Sequence, residues 1–392
     1  MAQATTSRWA RRTVAVGVVA LPVWQTAVLL GAPRATPVAL GLLGFVLHVA
    51  LGKAFALVPS YFARDLAFPR APALSLPLTA VGAAGVAVAG FPGSPPVVGT
   101  LGAACWTLGV TVAVGTLAWT VRDNLSGRET GTSESNADRR PLDRYADAFV
   151  PVALLYLFVG SYALFAGATP LPPVVDGYPP RASHLLAAGG AGLLVLAVGS
   201  RLLPRFLVVR PWRPPLFVAL PAGAVGPVLL AVTLPAGPWF QVGAAVEATA
   251  ILAFAASYLA WYVRSDRRRV ALRGPLFGVL AGAVAVGVGA WFAVGGVDPA
   301  LVVVHRRLNL LGFLGLTVVG LTFQFYPPAV GSVPGSSDRG AAAILGLLAG
   351  GLGVEVVGLA AGLGTVVVAG RLLALAGAAW YAVVLLSLFR RR

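Results

Sequence analysis

Twelve apolar runs of about 18–26 residues, each long enough to cross the hydrocarbon core of a bilayer as a helix, constrain this chain more than any other feature. They fall at 13–31, 36–58, 72–92, 97–121, 147–168, 182–203, 215–234, 238–263, 273–295, 299–325, 340–364 and 370–389. The third and seventh carry internal prolines, Pro77 in one and Pro221 and Pro227 in the other. Only 11% of the residues are charged, and the mean hydropathy is +0.85. Soluble domains carry roughly 25% charged residues, so this chain needs lipid as its solvent. The expected fold class is an all-α membrane protein, a bundle of about twelve transmembrane helices. It is read as one polytopic domain over 1–392, because no long polar stretch divides it.

The net charge of +16 does not indicate a nucleic-acid partner. Lys53 is the one lysine, and the other 28 basic residues are arginines set in short clusters between apolar runs. Such clusters mark the cytoplasmic side of a membrane protein. With alternating loops assigned to alternating sides, 23 arginines fall on one side and 5 on the other. That bias places both termini in the cytoplasm of a prokaryotic cell, with the chain in its plasma membrane. The polar segment 122–146 is expected to be a flexible cytoplasmic loop, since it has no apolar period. The first run reads as a retained span rather than a cleaved signal. Cys105 is a lone cysteine within an apolar run, which leaves no intrachain disulfide and no cysteine metal cluster.

Three runs share a pattern. Counting from Ala39, His184 and Arg307, position +5 is Gly44, Gly189 and Gly312, and position +20 is Pro59, Pro204 and Pro327. These runs are the second, sixth and tenth, so the chain reads as three pseudo-repeats of four helices. Glycine on one face lets a neighbour approach the backbone closely. The proline is expected to stop each helix at the interface.

All three histidines, His48, His184 and His305, lie in those same runs. Neutral imidazole tolerates apolar surroundings and can ligate haem iron or copper. With the orientation above, His184 and His305 fall near the outer end and His48 near mid-depth. The plain alternative for each is a hydrogen bond between helices. Lys53, Glu247 and Glu355, with Asp147 at a run's edge, are the other intramembrane polar groups. His48, Lys53, Glu247 and Glu355 are candidates for an intramembrane polar path, against ordinary pairing with arginine. Arg306 and Arg307 begin the tenth run and could hold a haem propionate or a lipid phosphate. Phosphate-loop, CxxCH and HExxH motifs do not occur.

The stretch from His305 through Arg-Arg-Leu-Asn-Leu-Leu-Gly-Phe, with His184 through Leu-Pro-Arg-Phe, resembles the haem–copper oxidase subunit I superfamily. The likeness is greater to its cbb-type members and to related NnrS-like membrane proteins. It covers two runs well and the second run poorly. The resemblance implies that His305 is the proximal ligand of one haem and His184 a copper ligand. Arg307 stands where a low-spin haem ligand would be, and Ala39 where its partner would be, with His48 nine residues away. The seventh run lacks the family's histidine pair. A single histidine holds copper weakly, so the resemblance implies a degenerate member with at most one haem, copper unlikely, and no oxidase activity. A role in respiration or in gas or haem handling is expected, beside other membrane subunits. Any catalysis would be oxidoreductase chemistry. A transporter and a ligand-free structural subunit are the competing classes.

Overall fold

The computed structural model describes residues 2–330, 333 and 335–390. Among these, twelve helices are long and apolar enough to cross a membrane, and no strand occurs. Backbone groups in hydrocarbon have no water to bond, and helices satisfy them internally. In chain order the spans are α1 (Ala4–Leu29), α2 (Ala35–Tyr61), α3 (Ala71–Val88), α4 (Pro96–Val121), α5 (Glu134–Ala166) and α6 (Pro179–Leu207). They continue as α7 (Leu216–Thr233), α8 (Pro238–Arg264), α9 (Val270–Gly295), α10 (Pro299–Phe325), α11 (Asp338–Ala360) and α12 (Gly364–Arg390). Helices α4, α6, α8 and α10 each open on a proline at the first turn, where a missing N–H costs nothing. The internal prolines of α3 and α7 do not break either helix.

Burial sorts the helices into two sets. The apolar windows of α2, α6 and α10 are 78%, 72% and 78% buried, whereas the other nine lie between 28% and 50%. Thus α2, α6 and α10 form a central trio and the rest surround it. In each group of four, the last two helices pair as a hairpin: α3 with α4, α7 with α8, α11 with α12. Helix α12 also packs on α1, which closes the ring. One continuous apolar core runs from Val14 to Leu388.

The pseudo-repeat recurs in the backbone. Each central helix contains a stretch of π-helical turns, at Ala39–Leu47, Leu185–Gly192 and Leu308–Leu316. Counted from the three repeat origins, these stretches coincide to within one residue. All three touch one another at the bundle axis. π-Helical turns are rare and concentrate at functional positions. The repeat glycines act alike: a Cβ would lie 3.2 Å from Ala20 of α1 at Gly44, 2.4 Å from the Tyr156 ring of α5 at Gly189, and 2.5 Å from Ala281 of α9 at Gly312. In every repeat the glycine therefore seats the first helix against the second.

The prolines depart from expectation. Pro59 and Pro204 lie inside their helices, which run on to Tyr61 and Leu207, while Pro327 follows the end of α10. A proline in a last turn costs little when the chain leaves the helix soon after.

The segment 122–146, expected to be flexible, is folded and tied down. Residues Arg140–Asp147 form a short helix that leads into the membrane-length helix Val150–Ala166. Asn124 donates to the carbonyls of Phe62 (3.1 Å) and Glu129 (2.7 Å). Arg64 pairs with Asp123 at 3.0 Å and Glu129 at 2.6 Å, and its guanidinium holds the Asp123 carboxyl below the usual carboxylate range. A polar segment without apolar period can still order when partners from neighbouring helices satisfy its groups.

Candidate functional site

The start of α1 and the end of α12 lie on one face of the bundle, the termini face, and His184 and His305 sit near the opposite, distal face, on α6 and α10. Their rings face each other with centroids 6.5 Å apart and planes 22° from parallel. The Nδ1 of His184 donates to the Pro180 carbonyl at 2.7 Å, and the Nδ1 of His305 to the Ala285 carbonyl of α9 at 2.9 Å. Carbonyls only accept, so each neutral ring carries its proton on Nδ1 and a lone pair on Nε2. Tethering of one ring nitrogen to a carbonyl is the support usual for metal-binding histidines. Asn309, one turn along α10, places its amide nitrogen 3.2 Å from Nε2 of His305. Phe292 of α9 packs edge-on to the same ring, with centroids 5.6 Å apart.

Arg307 turns to another side of α10. Its Nε donates to Glu355 of α11 at 2.8 Å, and its Nη2 lies 2.7 Å from the same carboxylate oxygen. Nη2 also donates to Gln25 of α1 at 2.9 Å, and the guanidinium lies 5.4 Å from the Trp24 ring centroid. Arg371 of α12 takes the other oxygen of Glu355 at 3.0 Å. Glu355 is fully buried and the Arg307 side chain is 3% exposed. A buried carboxylate inside a membrane protein requires such partners.

The remaining polar candidates are dispersed rather than lined up. His48 donates from Nδ1 to the Leu43 carbonyl at 2.7 Å and lies beside Trp106 of α4. Lys53 places its ammonium 4.0 Å from the ring centroids of both Phe325 and Tyr326. Glu247 of α8 is packed against Gly226 of α7. Glu355 belongs to the arginine pair. Each of the four has its own surroundings, so the candidate polar path through His48, Lys53, Glu247 and Glu355 is not assembled. Side-chain partners on separate helices, invisible to hydropathy, decided this.

Near the termini face a second buried cluster joins α2, α5 and α6. Arg201 pairs with Asp147 at 2.5 Å and stacks over Tyr61 at 4.2 Å. Arg205 takes Asp143 in a two-pronged pair at 2.9 and 2.5 Å, and Thr132 donates to the same carboxylate. The arginines Arg201, Arg205 and Arg371 read in the sequence as topological markers, and they are in fact structural partners. Gln25 and Asn309, polar residues within apolar runs, were the signals available for the distal cluster.

No protein-family model matches the chain, and no curated protein matches it significantly.

A haem at His305 does not suit the residues as arranged. The His305 ring is bracketed by Phe292 and His184, which leaves no room for a porphyrin face. Neither of the two cavities described in the bundle borders His184 or His305. Arg307, a candidate propionate partner, points to α1 and α11, on another side of α10 from the His305 ring. A single ion shared by two imidazoles needs much less space than a porphyrin.

Proposed function

We propose that this chain is a non-oxidase membrane protein on the haem–copper oxidase subunit I plan, formerly haem-binding, whose ligand-handling centre is the His184–His305 pair. The observation that carries the reading is the coincidence of π-helical turns in α2, α6 and α10, with the two histidines facing each other beside two of them. Repeated rare backbone geometry at one depth is costly to keep without a use. The ligand is one small metal ion. Imidazole nitrogen suits copper, zinc, iron and nickel, and a site of two neutral donors favours monovalent copper among them. One histidine would hold copper weakly; His184, beside His305, would supply the second donor once Asn309 turns away from the His305 Nε2. The four dispersed polar groups give a transport path no support. On the 23-to-5 arginine split, the termini face is cytoplasmic and the membrane is the plasma membrane of a prokaryote.

The test is metal and haem content of the purified full chain. Wild type should take one monovalent copper ion in competition with a chromophoric chelator, and show no Soret band after expression in haem-replete cells. His184→Ala and His305→Ala should each abolish copper binding, and His48→Ala should not. A Soret band lost in His305→Ala would replace the ion by a haem. Copper binding unchanged in both alanine variants would overturn the proposal.

A further inference from the structure

The distal cavity between α1, α2, α10, α11 and α12 has a charge problem that the protein does not solve by itself. Its volume is about 120 Å³, and its wall includes Trp24, Ala32, Arg306, Arg307, Glu355 and Arg371. Three arginines face one carboxylate, an excess of two positive charges. Arg34, on the loop at the cavity's mouth, adds its field to that of Arg307 and Arg371 at Arg306. Glu355 is committed to Arg307 and Arg371 through both oxygens. Arg306 makes no hydrogen bond or ion pair among the described residues. Arg307 is 2% exposed, yet its Nη1 has no hydrogen-bond partner. The second buried cluster shows the contrast, for there Arg201 and Arg205 meet two carboxylates, Asp147 and Asp143. A buried guanidinium nitrogen without an acceptor, as at Arg307, is expensive, and an anion shared with half-buried Arg306 removes the cost.

We propose that this cavity binds a phosphate oxyanion. Arg306 and Arg307 supply donors in the planar arrangement that suits phosphate oxygens. Arg371 adds donors from a third side. The volume is about four times the ~30 Å³ share of a water molecule in the liquid, which accommodates the five heavy atoms of a phosphate and excludes a porphyrin. Exposed Gly31 and partly exposed Ala32 stand at the rim, so the cavity opens at the distal end of the bundle, at the depth of a lipid headgroup. The phosphate comes either from a phospholipid of that leaflet or from solution, and the same donors would recognise both. The site is distinct from the imidazole pair and does not depend on it.

The test uses the full chain purified in neutral detergent. One arm titrates inorganic phosphate against chloride at equal ionic strength and follows the melting temperature. The other counts retained phospholipid by native mass spectrometry, and compares melting in phosphatidylglycerol and phosphatidylcholine nanodiscs. Two variants accompany the wild type: Arg306→Gln, and Ala32→Glu, which lends the cavity its own carboxylate. Stabilisation by inorganic phosphate identifies a soluble anion. A retained phospholipid that survives phosphate washing identifies a headgroup. In either case Arg306→Gln should weaken binding by about tenfold to a hundredfold, as expected for one charge-assisted bond. Ala32→Glu should melt higher than wild type without added anion and lose the response to it. If Arg306→Gln does not fold, Ala32→Glu decides alone. A wild type that neither retains phospholipid nor responds to either probe would overturn the proposal, as would responses equal in wild type and Ala32→Glu.

Discussion

Replacing Glu355 by glutamine removes one charge from the most buried ion cluster of the distal half while keeping the side chain's shape. The carboxylate is fully buried, Arg307 is 3% exposed and Arg371 is 20% exposed. Breaking a buried pair by neutralising one partner costs about 3–5 kcal/mol, chiefly because the other charge is left uncompensated. Here both guanidinium groups lose the compensating charge and one of them meets an amide NH2 in place of an acceptor, while Arg371 recovers part of the loss by turning to water. Glu355→Gln should therefore destabilise the chain by about 3–4 kcal/mol, while Arg371→Gln should cost about 1 kcal/mol. Reversible unfolding in mixed micelles, or steric trapping in bicelles, reads these differences. The double change Arg307→Met with Glu355→Leu should recover most of the loss, because an apolar pair of similar volume avoids desolvating both charges. A Glu355→Gln protein within 1 kcal/mol of wild type would refute the reasoning, as would a double variant no better than the single.

The remaining expectations concern topology, packing and acid response. Reporter fusions at Ser135 and at the C-terminus should read the same side, and one at Asp176 the other; disagreement between the first two would undo the twelve-span count. Gly189→Ala would put a methyl 2.4 Å from the Tyr156 ring, which should cost about 1–3 kcal/mol by overpacking. Gly346→Ala in α11, which meets nothing within 4 Å, should instead be neutral or stabilising by up to about 1 kcal/mol in the same unfolding assay. Asp123 has its folded pKa depressed by Arg64, so the pair contributes above the unfolded carboxylate pKa and is lost as pH falls through the lower folded value. Hydrogen exchange across 122–130 should accelerate in that acid range in wild type, whereas Arg64→Gln should exchange fast already at neutral pH.

Hydropathy by itself determined the twelve helices and the alternation of their connecting loops between the two ends of the bundle. Both follow from solvation of the chain by lipid, which acts on each segment separately. The glycines Gly44, Gly189 and Gly312 also disclosed the three-fold plan, because close helix approach needs a missing side chain at a fixed position. The π-helical turns left no separate mark in residue type, and the structure supplied them at the register the glycines had indicated. Which polar groups meet was a tertiary matter throughout. His184 and His305 are 121 residues apart and Arg307 and Glu355 are 48 apart, separations across which no local pattern operates. His48, Lys53 and Glu247, similar in the sequence to the groups that did pair, ended on helix faces turned toward other neighbours. A helix's sequence determines what lies on each of its faces, but the packing of the whole bundle decides which face another helix covers.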